Sequence, residues 1–282
     1  MEHDVRVCAV QFNPVLFEPE RNMEKAEELL FSRVRASSVD FVVFPEMAFT
    51  GYVFRSKEEA LHYSEPQRGR TYKFCSSISK RLGACVVAGY PERCVGEDGV
   101  EVLYNSMCIV DQQGDLVGTY RKRFLYETDK VWAEEGDEEF RSFEILGVKV
   151  AFGICMDINP KEFDYANDTF ALASFCKKLN VDILLFSTNW IMNDGEEENP
   201  DHLHGYWAWR LKPLIGRHCL FVAANRTGVE RGTTFAGESC IMSLSGPVVL
   251  AAADARSDDV LIASYPMLKR TTHKQLATAN LI

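Results

Sequence analysis

A carboxylate, a primary ammonium and a thiol that share one pocket can open an amide. The carboxylate takes a proton, the sulfur attacks carbon, and the ammonium steadies the oxyanion. Three segments of the 282-residue chain offer these groups at the ends of strand-like runs. In FVVFPEMAFTGY (41–52) the apolar run stops at Pro45, and Glu46 stands where the chain leaves a sheet. Its neighbours Met47, Phe49, Tyr52 and Phe54 make an apolar setting that raises a carboxyl pKa toward that of a general base. In TYRKRFLY (119–126), alternation puts Tyr120, Lys122 and Phe124 on one side of an extended segment and Arg121 and Arg123 on the other. If the aromatic side is buried, Lys122 is buried with it and needs a carboxylate partner or a carbonyl to polarise. In VKVAFGICMDINP (148–160), Gly153 lies two residues before Cys155, so the sulfur stands at a strand terminus with the Met156 N–H free to face an oxyanion. Beside a base and a lysine, this thiol is expected to have a lowered pKa. Taken singly, each group also has a plain structural reading: a solvated loop carboxylate, a snorkelling lysine, a small buried thiol.

The elements that must hold these groups alternate between strand and helix. Strand-like segments bounded by turn residues cover 5–11, 41–44, 85–90, 105–110, 148–154, 183–186, 220–224, 240–244 and 260–264. Helical spacing marks 22–37 (Met23, Ala26, Leu29, Leu30, Val34), 71–82 and 168–179. Hairpin-like turns at 111–114 and 243–246 imply mixed sheets, and the continuous apolar runs FVVF and DILLF imply strands covered on both faces. The expectation is α/β with layered sheets and helices outside.

Composition closes several other routes. A net charge of −10 offers no phosphate-seeking surface, so nucleic acid is not an expected partner. No run approaches the ~18 apolar residues of a membrane helix, and the acidic start MEHDVRVCAVQF lacks the basic and apolar regions of a secretory leader. A cytoplasmic protein with no membrane partner is expected. The nine cysteines are odd in number and scattered, with no CxxC pair and no His at ligand spacing, which suggests neither a disulfide framework nor a metal site. The acidic stretch 193–201 reads as a solvated excursion, and the polar segment after Tyr265 as a tail. The domain expectation is therefore 1–264, with 265–282 as a C-terminal tail.

In sequence order, VCAVQFNP, FPEMAFTGY, AGYPE, YNSMCIVDQQGDLVGTYRK, GICMD, STNW, AANRTG and FAGES resemble the motifs of the nitrilase superfamily of carbon–nitrogen hydrolases. The resemblance covers most of the chain and implies a four-layer α-β-β-α sandwich with no metal or organic cofactor. It implies that Glu46 is the general base, that Lys122 stabilises the tetrahedral intermediate and that Cys155 is the acylated nucleophile. Many members carry a further acid after the lysine, for which Asp129 and Glu127 are the candidates. The run Cys155-Met156-Asp157-Ile158-Asn159-Pro160, with FLYETD and STNW, is similar to the eukaryotic protein N-terminal amidase branch. That similarity implies deamidation of the side chain of an N-terminal Asn or Gln, on proteins or peptides bound for degradation. A substrate of this kind carries an α-ammonium, for which Asp129, Glu134, Asp157 and Asp194 are the available acids. Asp157 has a competing role as a turn cap. Tyr52, Asn189 and Trp190 are the remaining candidates for substrate contact. A small-molecule amidase of the same superfamily (an ω-amidase or carbamoylase) and a catalytically silent scaffold are the alternatives. The superfamily habit of association leaves a homodimer open.

Overall fold

The computed structural model describes residues 3–96, 99–136, 139–192 and 200–267. The acidic stretch, with Asp194, lies outside the described residues but for its last two positions, as does the tail beyond Met267.

The first half of the chain gives β1 (His3–Gln11), α1 (Pro19–Arg33), β2 (Phe41–Val43), α2 (Lys57–Tyr63), α3 (Arg70–Leu82), β3 (Cys85–Val95), β4 (Glu101–Val110) and β5 (Leu116–Arg121). Then follow α4 (Glu127–Lys130), β6 (Ser142–Ile145), β7 (Val148–Ile154), α5 (Ala171–Leu179), β8 (Ile183–Ser187), α6 (Pro200–Arg210) and β9 (Leu220–Ala224). The chain closes with a small hairpin, β10 (Val229–Glu230) and β11 (Thr233–Thr234), and with β12 (Cys240–Ser243), β13 (Val248–Ala252) and β14 (Asp259–Met267).

Two six-stranded sheets result, ordered β14-β1-β2-β3-β4-β5 and β13-β12-β9-β8-β7-β6. Each has three parallel strands at its centre and antiparallel strands at its flanks: β1, β2 and β3 in one, β7, β8 and β9 in the other. The period-two pattern of the first sheet sorts its faces. Val5, Val7, Ala9, Phe41, Val43, Cys85 and Val87 join a core shared with the second sheet. Cys8, Val10, Val42, Phe44, Val86 and Ala88 meet Ala26 and Leu30 of α1 and Ile78 and Leu82 of α3. On the far side of the second sheet, Trp207 of α6 packs on Phe186 and Phe221 at 6.2 and 5.9 Å between ring centroids. The order is helix, sheet, sheet, helix. Each fully buried Val, Leu or Phe contributes about 1.5–3 kcal/mol to holding the layers together.

Several boundaries differ from the periodicity reading. α1 begins at Pro19 and stops at Arg33, because Val34 turns extended (φ −108°, ψ 133°) to bury its side chain. α5 begins at Ala171 and not near Asp168. Asp168 is drawn into an ion pair with Arg210 and also accepts from the Phe170 N–H, so the chain turns through a left-handed Phe170 before the helix starts. β6 and β13 were not legible: β6 has four residues, and β13 is an edge strand with Val248, Val249 and Leu250 exposed. β14 continues to Met267, so the strand passes the boundary drawn at residue 264. No helix among the described residues is long and apolar enough to cross a membrane.

Candidate active site

Glu46, Lys122 and Cys155 leave neighbouring strand ends. After β2, the Phe44 N–H still bonds to Val87 O at 2.9 Å, and Pro45 then ends the ladder. Gly89 of β3 lies so close beneath the turn that a Cβ there would fall 2.5 Å from the Glu46 Cα, so only glycine fits. Met47 takes a left-handed φ of 44°, which swings the chain away while Glu46 stays buried. Lys122 follows β5, its N–H bonded to Asn105 O of β4 at 2.7 Å. The strand ends at Arg121, yet the alternation persists: Tyr120, Lys122 and Phe124 are buried, and Arg121 and Arg123 are half-buried. Cys155 follows β7 with φ 42°, a strained conformation for a non-glycine residue that costs about 1–3 kcal/mol and places the sulfur on a sharp strand-to-helix turn.

Lys122 sits between two carboxylates. Its Nζ donates to Glu46 Oε1 at 2.7 Å and to Asp129 Oδ2 at 2.6 Å, and all three side chains are fully buried. Asn105 spans the same pair, donating from Nδ2 to Glu46 Oε1 at 2.7 Å and to Asp129 Oδ1 at 2.9 Å. The other Glu46 oxygen accepts from the Asn189 N–H at 2.8 Å, and Asp129 Oδ2 also accepts from the Tyr126 N–H at 2.9 Å. Glu127, the other candidate acid, is exposed and paired with Lys130 at 3.2 Å, so Asp129 is the acid that reaches the lysine. Burial alone would lower the ammonium's pKa, but Asp129 and then Glu46 outweigh it, and Lys122 is held firmly charged. Burial raises Glu46 above the ordinary glutamate value. Lys122 pulls it back, and Asp129 adds to the rise.

The expectation of a lowered thiol pKa at Cys155 is overturned. Burial pushes the thiol up to about 12, and Glu46 adds to that. Lys122 and the nearby Thr188 hydroxyl pull in the other direction without prevailing. The lysine is already neutralised by two carboxylates, so it cannot carry a third anion at rest. The thiol is neutral in the free site and needs a base at the moment of attack.

Asp157 is fully buried, and all its acceptor positions face the scaffold. Oδ1 accepts from the Arg123 and Phe124 N–H groups at 3.0 and 2.9 Å. Oδ2 accepts from the Tyr120 hydroxyl at 2.7 Å and the Ile154 N–H at 2.8 Å. The side chain thus ties the segment around Lys122 to the strand end before Cys155, and the turn-cap role displaces the one in substrate contact. Burial pushes its carboxyl up to about 6 against those bonds. Met156 is the second residue of the 3-10 turn Cys155–Ile158, whose leading N–H groups have no partner within the turn.

Tyr52 lies under the cluster, its ring centroid 5.9 Å from Lys122 Nζ, and its buried hydroxyl has no hydrogen-bond partner. Asn189 has neither side-chain atom bonded, and the Thr188 hydroxyl makes no hydrogen bond of normal geometry although it lies beside the Cys155 sulfur. Trp190 packs against Tyr206 and Trp207 and is half-buried, with its backbone N–H given to Asn225 Oδ1 at 2.9 Å. Asp129 is saturated by Lys122, Asn105 and Tyr126, and Glu134 is exposed.

Sequence reasoning missed Asn105, Thr188 and the pair Arg226–Glu230. Glu230 Oε1 accepts the N–H groups of Tyr52 and Val53 at 2.8 and 2.5 Å, and its other oxygen meets Arg226 at 2.5 Å, so this buried pair fixes the Tyr52 backbone. The signal for Asn105 was a polar Asn-Ser step between residues 102–104 and the apolar run 107–110 of β4, since a buried amide demands partners.

Comparison with known proteins agrees with this architecture. Residues 6–174 match the carbon-nitrogen hydrolase family model. A protein N-terminal amidase of Schizosaccharomyces pombe is 34% identical over 262 residues, which is 84% of this chain and 90% of that protein. A nitrilase of Pyrococcus abyssi is 32% identical, over 90% of this chain and 87% of its own. A crystal structure of an N-terminal amidase with an Asn-Glu-Ala peptide superposes with a TM-score of 0.84 at 19% identity, covering 95% of this chain and 99% of that one, which shows the shared fold. With its two-sheet sandwich and the family match over more than half its length, this chain belongs to the carbon-nitrogen hydrolase family.

Proposed function

We propose that the chain deamidates the side chain of an N-terminal Asn or Gln of a polypeptide, giving Asp or Glu and ammonia. The observation that carries this reading is the buried Glu46–Lys122–Asp129 cluster beside Cys155, faced by unpartnered polar groups on Tyr52, Thr188 and Asn189. A carboxamide has a carbonyl to accept and an amino group to donate, which suits hydroxyls and an amide left without partners. The likeness to the fission-yeast N-terminal amidase supports the substrate class.

In this mechanism Cys155 Sγ attacks the carboxamide carbon as Glu46 takes the thiol proton. The oxyanion is held by the third Lys122 N–H and the Met156 N–H. Glu46 returns the proton to the leaving nitrogen, the carbon–nitrogen bond breaks, and ammonia departs from a thioester. Water, deprotonated by Glu46, then attacks the thioester and releases the carboxylate and the thiol. Asp129 touches no reacting atom and acts by holding Lys122. The acidic N-terminus so formed would mark the product for degradation. Nine free thiols suit a reducing cytosol.

The similarity to an N-carbamoylputrescine amidase of Solanum tuberosum, 28% identical over 94% of this chain and 87% of its own, supports a second reading, a small-molecule amidase using the same three residues. Ammonia release from Asn- and Gln-initiated peptides, from free glutamine and from N-carbamoyl amines separates the two, with Cys155→Ala as control. The proposal expects release from the peptides alone, lost in the variant. Activity confined to free glutamine or a carbamoyl amine would replace it with the second reading, and identical flat traces for wild type and variant would exclude hydrolysis of these substrates.

A further inference from the structure

Six aromatic rings form an arc from one flank of the site to the other. Tyr126 stands at one end, its backbone N–H bonded to Asp129 Oδ2 at 2.9 Å. Its ring meets Phe163 at 6.2 Å between centroids, Phe163 meets Tyr165 at 6.4 Å, and Tyr165 stacks on Trp209 at 6.3 Å. Trp209 then meets Tyr206 at 5.6 Å and Tyr206 meets Trp190 at 5.6 Å, next to Asn189, whose N–H holds Glu46. The end rings are half-buried. Tyr206 is half-buried as well, and the other three are open, with Phe163 at 42%, Tyr165 at 48% and Trp209 at 45% exposure.

The arc is held in shape. The Tyr165 and Tyr206 hydroxyls are 3.0 Å apart, and Tyr206 donates to Asn159 Oδ1 at 2.5 Å. Phe163 is set outward by two successive left-handed residues, Glu162 at φ 54° and Phe163 itself at φ 57°, a conformation unfavourable to both side chains. The buried Arg210, paired with Asp168, lies 5.0 Å from the Trp209 ring. Tyr126, Tyr206 and Trp190 pack against the core and anchor the arc, and the exposed Phe163, Tyr165 and Trp209 rings between them mark a contact surface.

We infer that this arc is the subsite for the second and third residues of the polypeptide substrate, with a preference for apolar and aromatic side chains there. The inference rests on the amidase reading above. If Cys155 attacks the side chain of the first residue, the rest of the polypeptide must leave the pocket, and the arc is the surface continuous with both flanks of that pocket. Rings held apart by about 6 Å offer faces and edges to successive side chains. A second copy of the chain is the competing occupant.

The test compares KM and kcat for Asn-Gly and Asn-Phe-Leu in the wild type, in Phe163→Ala/Trp209→Ala and in Phe163→Ala alone, alongside sedimentation of each protein. The wild type is expected to show a KM about tenfold lower for Asn-Phe-Leu, the size of one good ring contact. The double variant should lose that advantage while its constants for Asn-Gly and its mass stay unchanged. Phe163→Ala, which removes an exposed ring, should lose part of it even if the pair unfolds. Retention of the full advantage in the variants overturns the inference. So does a fall in mass with the advantage intact, which would assign the arc to an interface between copies. If the wild type releases ammonia from neither peptide, it is the amidase reading that has failed, and the subsite falls with it.

Discussion

The cluster around Lys122 and the wall beside it follow opposite rules. Within the cluster every charged group is paired: the lysine meets both carboxylates, the Asn105 Nδ2 spans the same two while its Oδ1 is left without a partner, and the backbone of Tyr126 and Asn189 fills further positions. In the wall, the Tyr52 hydroxyl, the Thr188 hydroxyl and the Asn189 amide are buried with hydrogen bonds unmade. Each such group costs about 1–3 kcal/mol in a folded protein. Saturated charges fix geometry, and unsaturated neutral groups keep bonding capacity for a ligand. The same pocket therefore contains a part that resists change and a part that waits for a partner.

Removing the central cation should have the largest effect. Lys122→Ala leaves Glu46 and Asp129 buried and facing each other, and urea unfolding should show a loss of about 3–5 kcal/mol together with loss of activity. A variant as stable as wild type would mean that the cluster does not hold this part of the fold. The wall should respond the other way. Tyr52→Phe and Thr188→Val each remove a buried hydroxyl that makes no hydrogen bond of normal geometry, so the urea midpoint should be unchanged or higher while kcat/KM falls about tenfold, or ~1.4 kcal/mol. A drop in stability without a drop in rate would make these groups structural.

The smallest expected effect is on pH dependence. Glu46 has a raised pKa and takes up its proton at higher pH than an ordinary glutamate, and once protonated it cannot accept the thiol proton. The rate should therefore fall on acidification through that raised value. Asn105 donates to the ionised Glu46, so Asn105→Ala removes a bond that favours ionisation, and the acid limb of the kcat/KM profile should move to higher pH. A limb that moves to lower pH would show that another group sets it.

The sequence was most legible where one residue type at one place admits few explanations. Pro45 after an apolar run, the Tyr120–Lys122–Phe124 alternation and Gly153 before Cys155 located three strand exits, and the layered order followed from FVVF and DILLF. The alternation worked even though β5 ends at Arg121, because side-chain burial outlasted ladder pairing. What stayed hidden depends on partners distant in sequence. Asp157 by its position favours a turn cap over a substrate role, but the Tyr120 hydroxyl and the two distant N–H groups that occupy it are not announced by any local pattern. Glu230 acts on Tyr52 across 178 residues, and no local pattern announces it. The thiol pKa was misjudged because the count of charges near Cys155 omitted Asp129 and the cost of burial.

Acylation of Cys155 by the carboxamide substrate is the step on which the mechanism depends. Intact-mass and peptide-level mass spectrometry of enzyme quenched early during turnover of an Asn-initiated peptide tests it directly. An adduct is expected on the peptide containing Cys155, with the mass of the substrate less ammonia, absent from Cys155→Ala and decaying as acid product appears. Ammonia released at full rate with no adduct at any quench time, or an adduct on another cysteine that persists in Cys155→Ala, would contradict it.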